Sequence, residues 1–581
     1  MARKGHALSF VPTESRFFRR ALAEEDCGVV ETSETIVTFL RVTEERAKEV
    51  FCYFWQSGAV QVIRRGALRQ EAEKYARFFR AQGVQPGEVV LIILRHSPDL
   101  LHAFLGAMLA GAIPSFMPFP TSKQEPALYW RSHRQLFARI GTGALLTYES
   151  NIAAVREHAP DQPLHLLTVE QALVSQCAFV VDADPSAEAV AFLQHSSGTT
   201  GLKKGVALTH AAVLRQVRSY ATKLQITQED CIVSWLPLYH DMGLIACFLL
   251  PLLTGVPVVM LDPFEWVARP GMLFEAIRQY RGTLCWLPNF AFHHLCRTVR
   301  STPQLDLRSM RAWIDCSEPC RAETFRIFAH TFARAGVCAE QLQVCYAMAE
   351  TVFAVTQTDL GVMPRTMTVD AAALRTQGAV CSVTTGETVS ILSTGRPISG
   401  LDIAIVDNTG QRLPEGRVGE IAISGDCLFA GYYKLEEETR RKLRHGWYYT
   451  GDLGFLHAGE LFVTGRKHDL IIVHGRNYYA HELEYLVNQV PGVHPGRNVA
   501  VGWFRPEAGS EEVVIIAESG DQLEDATLAS RIKQTVLDQT GLLVFDVHVA
   551  PPGWLVKTTS GKISRSENLR KYQCLADLAR S

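Results

Sequence analysis

At 581 residues the chain is too long for one compact core, and its length predicts two to four domains. A hydrophobic fraction of 47% with 20% charged residues is that of an ordinary soluble globular protein. The net charge of -2 leaves no basic excess, which argues against nucleic acid or an anionic membrane as a partner.

The chain opens on Met1-Ala2-Arg3-Lys4, basic but without the apolar core of a signal peptide. Ala67 to Gln82 has helical periodicity and ends at Gly83. Glu88 to Leu94 reads as an apolar strand, and Pro98 to Ala110 as a helix stopped by Gly111. The pattern recurs as a strand near 189–194, a helix over 211–225, a strand over 230–235, a helix over 243–253 and a strand over 256–261. Such alternation predicts parallel sheets covered by helices. Met242 to Leu261 carry no charge over a length that could span a bilayer. Pro251, Gly255 and Pro257 break that run, so a buried helix, a turn and a buried strand is the better reading.

From about residue 400 the texture changes. Leu401–Val406, Val418–Ser424, Tyr448–Asp452, Glu460–Val463 and Asp469–Val473 read as short strands separated by turn signals such as Asn408-Thr409-Gly410. They predict a small β-rich subdomain over about 395–467. After Gly475 the chain reads as helix 481–489, strand 498–504, strand 512–518, helix 526–540 and strand 544–549, a separate α+β lid domain. The 14 cysteines are scattered, several in apolar company (Cys231, Cys247, Cys285, Cys345), with no CxxC pair, as in a reduced cytoplasmic chain. Cys316 and Cys320 form a CxxxC, but no partnering pair stands at zinc-site spacing.

The segment His195 to Gly205 brings three glycines, several hydroxyls and two lysines between a strand and a helix starting near Thr209-His210. Glycines let successive backbone N–H groups converge on an anion, and Ser and Thr hydroxyls add donors. The spacing is not that of a P-loop: Lys203 stands five residues after Gly198, where a second glycine belongs. A glycine-rich turn without function has the same composition.

This segment resembles the signature of the acyl-adenylate-forming superfamily of AMP-binding enzymes, which includes fatty acyl-CoA synthetases, fatty acyl-AMP ligases, nonribosomal adenylation domains and luciferases. Further signatures follow in that superfamily's order: Tyr346-Ala347-Met348-Ala349-Glu350-Thr351, Tyr449-Thr450-Gly451-Asp452, Gly465-Arg466-Lys467-His468-Asp469 and Lys557-Thr558-Thr559-Ser560-Gly561-Lys562. The resemblance implies an α/β fold. A large N-terminal domain, 1–467, would hold two α/β sheet layers and the β-rich subdomain. A small mobile α+β lid, 468–581, would be hinged at His468. It also implies ATP-dependent adenylation of a fatty or related carboxylic acid with release of pyrophosphate. The acyl group would then pass to the phosphopantetheine thiol of an acyl carrier protein, as in lipid or polyketide biosynthesis. An acyl-CoA synthetase, differing only in the accepting thiol, is the alternative. A non-catalytic binder of nucleotide or acyl-adenylate is the reading from another class.

By the same resemblance, Ser196, Ser197, Gly198, Thr199, Thr200, Gly201 and Lys204 would hold the β- and γ-phosphates of ATP. Glu350 would ligate Mg²⁺, with Thr200 as a further oxygen ligand. Thr351 would touch the α-phosphate, Asp452 would take both ribose hydroxyls, and Arg466 would assist at ribose or phosphate. Ser317, Glu318, Pro319, Tyr346, Ala347 and Met348 would line the nucleotide, and Lys562 would be the catalytic cation. Read without the resemblance, Glu350 is equally a capping or salt-bridged carboxylate. Asp452 is equally a turn residue before Gly454, and Lys557 and Lys562 are surface lysines.

Ser234 to Ile245, with its Leu238-Tyr239-His240-Asp241-Met242-Gly243, strongly resembles the matching segment of fatty acyl-AMP ligases. There the histidine lies where acyl chain and phosphopantetheine tunnel meet; a core or turn histidine is the plainer alternative for His240. The stretch from Thr351 to Gly395 is long for the superfamily. Val369–Gly378 within it looks like the insertion of those ligases, which hinders the thioester-forming arrangement with CoA. Trp235, His240 and Met242, with Trp286, Asn289 and Phe290 from the aromatic run Cys285–Phe292, form the expected acyl pocket. That run fits an ordinary packed strand and turn as well. The chain departs from the superfamily pattern at Ala347, usually glycine, at Cys316-Ser317, usually small residues, and at His468, usually Asp or Lys. A histidine at the hinge makes pH-dependent lid rotation an expectation.

Overall fold

The computed structural model describes residues 34–578 apart from 121–125, 142, 159–163, 177–184, 197–203, 301–303, 382–386, 475, 506–509, 521–523 and 558–561. Leu68, Ala72, Tyr75, Ala76 and Phe79 recur at helical spacing and bury one face of the Arg65–Ala81 helix, which Gly83 terminates at φ 85°. It packs on the Pro98–Leu109 helix at Gly106, where a Cβ would lie 2.5 Å from that of Tyr75. Only glycine allows that approach.

These helices cover two sheets. One has four parallel strands in the order Ile113–Phe116, Val89–Ile92, Gly143–Thr147, Leu164–Thr168. The other has nine strands. Its centre, Leu342–Ala347, Ala312–Cys316, Leu284–Leu287, Ile232–Ser234, Val258–Leu261 and Val50–Gln56, is parallel, and the added pairs at both edges are antiparallel. Leu284–Leu287 and Ala312–Cys316 are buried at every position, as a parallel sheet covered on both faces requires.

Two expectations fail in detail. Val190–Ser196 joins no parallel sheet: it pairs antiparallel with Lys204–Thr209, His195 opposite Gly205, and Gly431–Tyr432 adds a third strand. The glycine-rich segment thus leads into a strand, and the helix begins only at His210. The expected helix over 243–253 is a π-helix, Met242–Leu249, followed by a short α-helix, Leu250–Thr254. Gly255, at φ 91°, then turns the chain into Val258–Leu261. Among the described residues no helix is long and apolar enough to cross a membrane.

The β-rich region pairs Leu401–Val406, Gly419–Gly425 and Trp447–His457 antiparallel, with Leu443–Arg444 and Glu460–Arg466 on Trp447–His457. Beyond it lie the hairpin Leu470–Val473 with Arg476–Tyr479 and the sheet Val493–Arg505, Ser510–Ser519, Asp546–Ala550. The helices Ala480–Val487, Asp525–Thr540 and Arg565–Leu578 cover that sheet. This C-terminal part has its own apolar clusters, one around Leu483, Ile515, Leu528 and Ile532, another around Val499, Val514 and Tyr572. Within 351–395, Thr366–Asp370 and Thr388–Leu392 form a hairpin carrying the helix Ala371–Gln377. Asp370 caps that helix, and Arg375 on it lies 5.6 Å from the ring centroid of Tyr478 in the C-terminal part.

Candidate active site

Parallel strands end on one side of their sheet, and the loops that leave them there form a crevice. Ala312–Cys316 runs into Ser317–Arg321, Leu284–Leu287 into Pro288-Asn289-Phe290, and Leu342–Ala347 into Met348–Val352. Glu318 ties the first two loops together, one carboxylate oxygen accepting the Phe290 N–H at 3.0 Å. Ser317 takes φ 75°, a conformation usual for glycine.

The loop carrying Glu350 is the most constrained. Val352, fully buried, sits at φ 67°, ψ −54°, and the Phe353 N–H donates to the Thr351 carbonyl at 2.8 Å. That is a γ-turn of the strained hand, which surrounding structure must enforce. Gln216, fully buried, supplies part of that support: its amide donates to the carbonyls of Thr351 at 2.8 Å and Ala354 at 3.0 Å. Thr351 is itself fully buried, and its hydroxyl faces the carbonyls of Met348 and Phe353. Thr351 thus shapes the turn.

Glu350 accepts the Tyr432 hydroxyl at 2.8 Å on one oxygen. Burial first, and then the Glu350 charge, push the Tyr432 phenol well above its usual range, so it stays a donor. Lys204 lies 5.0 Å over the Tyr432 ring and pairs with Glu438. Arg441, followed by Lys204, lowers the Glu438 pKa to about 2. Lys204 and Glu350 thus share one tyrosine. Asp452 accepts the Tyr346 hydroxyl at 2.6 Å on one oxygen and the Arg466 guanidinium at 3.0 Å on the other. Each oxygen keeps a second acceptor position.

Lys562 meets this crevice from the C-terminal part, its Nζ donating to the Ser317 carbonyl at 3.0 Å. Lys557 bridges Ile563 across the loop that carries it. Asn568, fully buried, fastens both ends of that loop, accepting the Val556 N–H and donating to the Val556 and Ser564 carbonyls. Arg565 bonds both oxygens of Glu484 and one of Asp469, beside His468. His468 is exposed in the turn Lys467–Asp469. Asp241 is within electrostatic reach of Lys562 and Glu350; burial raises its pKa, against the pull of the Met242 N–H and Lys562. It adjoins His240 in a quoted motif and was still missed, as were Tyr432, Glu438 and Gln216, which no motif marks.

Where the acyl pocket is expected, the structure brings together Trp235, Phe290 and an unforeseen partner. Trp235 stacks face to face on fully buried Trp266 at 3.7 Å, and Phe290 stands edge-on to both. The buried side-chain oxygen of Asn289 has no hydrogen-bond partner among the described residues. Gln194, two residues before Ser196, donates to the Tyr239 carbonyl at 3.0 Å and so ties the strand entering the glycine-rich segment to the turn that holds His240. Gly243 packs so tightly on Pro237 that a Cβ would lie 2.3 Å from its carbonyl oxygen, which fixes the turn holding His240, Asp241 and Met242. Trp286 is fully buried, and its indole N–H donates to Tyr220. Ser317, Pro319, Ala347 and Met348 lie on the loops described. Ser197, Gly198, Thr199, Thr200 and Gly201 lie outside the described residues, and of Ser196 only the backbone is described.

Among the described residues no group of three or more His, Cys, Asp and Glu is set to hold a metal. A single carboxylate such as Glu350 suits an ion held mainly by substrate phosphates and water, the usual habit of Mg²⁺.

Comparison with known proteins agrees with this geometry. The model of the AMP-binding enzyme family matches residues 43–433. The medium-chain-fatty-acid–[acyl-carrier-protein] ligase JamA of Moorena producens is 29% identical, over 83% of this chain and 85% of that one. The long-chain-fatty-acid–AMP ligase FadD32 of Mycolicibacterium smegmatis is 31% identical, over 83% and 85%. A solved structure from work on fatty acyl-adenylate ligases of E. coli and L. pneumophila superposes with a TM-score of 0.87 at 27% identity, over 94% of this chain and 99% of that one.

Proposed function

Since the chain belongs to the AMP-binding enzyme family and is an acyl-adenylate-forming ligase, we propose that it joins a fatty acid to AMP from ATP. Pyrophosphate leaves, and the acyl group passes to the phosphopantetheine thiol of an acyl carrier protein. The observation that carries this reading is the meeting of Lys562 with Ser317 beside Glu350 and Asp241, 3.0 Å from nitrogen to oxygen.

A carboxylate attacking the α-phosphorus brings two anions together, so catalysis is mostly charge neutralisation and positioning. Lys562, a compact cation on a fastened loop, neutralises the charge that develops there. Lys204, with the segment Ser196 to Gly201, holds the β- and γ-phosphates and must leave Glu438 to do so. Asp452, steadied by Tyr346 and Arg466, takes the ribose hydroxyls on its remaining acceptor positions. Ser317, Glu318, Pro319, Ala347 and Met348 form the adenine side. Glu350, with Thr200, would hold Mg²⁺, which would supply charge neutralisation at the phosphates. Trp235, Trp266, Met242, Asn289 and Phe290 receive the acyl group, with His240 at its junction with the thiol.

Residues 1–467 act as the body and 468–581 as a lid hinged at His468, which turns to withdraw Lys562 and admit the thiol. The packing of the Ala371–Gln377 helix on Arg476–Tyr479 of the lid favours a carrier protein over CoA. Mass spectrometry of products tests the choice, with ATP, Mg²⁺ and a panel of acids given CoA, phosphopantetheinylated carrier protein, or neither. The expected result is loaded carrier protein, and acyl-AMP left unreacted with CoA. Abundant acyl-CoA would overturn the carrier-protein assignment.

A further inference from the structure

The segment Ser317–Arg321 touches the lid at both ends. Its first residue receives Lys562, and its last sends a side chain across to the Ala480–Val487 helix. Arg321 Nη2 donates to the His481 carbonyl at 3.3 Å, and the guanidinium carbon lies 3.8 Å from the ring centroid of Tyr485. His481 and Tyr485 are one turn apart, so one guanidinium covers that face of the helix. Glu482 and Glu484 add charge of the opposite sign, while burial is the chief influence lowering the Arg321 pKa. A guanidinium remains charged under these conditions, and a desolvated cation over a ring face binds more strongly than an exposed one.

We propose that Arg321 is a positioning residue for the adenylation step: seated on Tyr485 and His481, it holds the lid where Lys562 reaches the nucleotide. The inference rests on the acid-adenylating function proposed above. The same grip has to be released before the lid can turn, so its removal slows the step that uses Lys562 and spares the step that does not.

The test measures the two half-reactions separately. Acid-dependent ATP–pyrophosphate exchange reports the first, and single-turnover transfer from synthetic acyl-AMP to pantetheine reports the second. Arg321→Ala is expected to lower the exchange kcat about tenfold with ATP and acid KM unchanged within about twofold, since a cation–π contact of this kind corresponds to such a factor. Transfer is expected to be as fast as in the wild type or faster. Arg321→Lys should recover part of the loss, and Tyr485→Leu, which keeps an apolar body but no ring face, should show the same split. Unchanged exchange in Arg321→Ala and Tyr485→Leu would overturn the inference, as would equal slowing of both half-reactions. A wild type without exchange on any acid would instead remove the adenylation reading itself.

Discussion

Lys562 Nζ donates to the Ser317 carbonyl at 3.0 Å across 245 residues of chain. A backbone oxygen receives the ammonium, and the residue supplying it stands at φ 75°. The position of Lys562, the cation proposed to act in catalysis, therefore depends on a backbone shape that a side chain strains.

Replacing Ser317 with glycine tests that strain. A non-glycine residue in the left-handed region costs about 1–2 kcal/mol, partly offset by the entropy glycine loses on folding. Ser317→Gly is expected to raise stability by up to about 1 kcal/mol and leave exchange within about twofold of the wild type. Ser317→Val should lower both. Thermal melting and exchange assays check this; a destabilised glycine variant would contradict it.

Asn568→Ala removes the fastening of the lysine loop and takes the side-chain acceptor from the Val556 N–H, while the Val556 and Ser564 carbonyls keep their backbone donors, the Ser564 and Asn568 N–H groups. An unmet buried group costs about 1–3 kcal/mol. Exchange should fall by about tenfold, the loss expected when a positioned cation is loosened rather than removed. Asn568→Asp, which keeps only the acceptor for Val556, should fall between. Equal rates in all three proteins would show that the loop holds its shape without this residue.

Trp235→Ala breaks the stack on Trp266 and opens the acyl side. Large-to-small replacement of a buried aromatic costs about 3–5 kcal/mol. The KM for long-chain acids should rise about tenfold with that for ATP unchanged, since the lost area faces the acyl chain. A parallel rise in both constants would place Trp235 in general packing instead.

His210 gives a pH dependence. Its Nδ1 accepts the Ile36 N–H, and burial lowers its pKa to about 4. The unfolded chain, with histidine near 6.5, binds more protons, so the stabilisation present above pH 6.5 is lost as pH falls toward 4. From pH 7.5 to 5 the loss at this site is up to about 2 kcal/mol. His210→Asn, which can still accept from Ile36, should lose that much of the wild type's drop in urea midpoint stability. An identical drop in both would remove His210 as its source.

The signatures picked out Glu350, Asp452 and Lys562 because nucleotide chemistry requires particular residue types, and the structure adds their partners: Tyr432 for the first, Tyr346 and Arg466 for the second, the Ser317 carbonyl for the third. Regular elements were readable wherever one periodicity dominated, as in Arg65–Ala81 and Leu401–Val406. The π-helix was not: Met242–Leu249 is apolar on every side, so periodicity carries no register, and the close contact of Gly243 with Pro237 is tertiary. Trp286 and Trp235 look alike in sequence. Both are buried in the main core, and only the structure shows their partners, Tyr220 for one and Trp266 for the other. Thr351 belongs to a motif, but the γ-turn that its hydroxyl serves is a tertiary arrangement that no motif spells out. Arg321 and Tyr485 face each other from distant segments, and no local pattern announces such a pair.

Acid-dependent ATP–pyrophosphate exchange, measured on the wild type and on Lys562→Ala across a panel of fatty acids, tests the central assignment most directly. Lys562 is exposed at the end of its loop, so its removal should leave the fold intact. The expected result is exchange by the wild type with at least one fatty acid. Lys562→Ala should lose about 100-fold or more in kcat, the scale for removing one electrostatic donor to a transition state. Exchange that survives intact in Lys562→Ala would contradict the catalytic role. Absence of exchange with every acid in the wild type would contradict adenylation itself and leave a binder of nucleotide or acyl-adenylate.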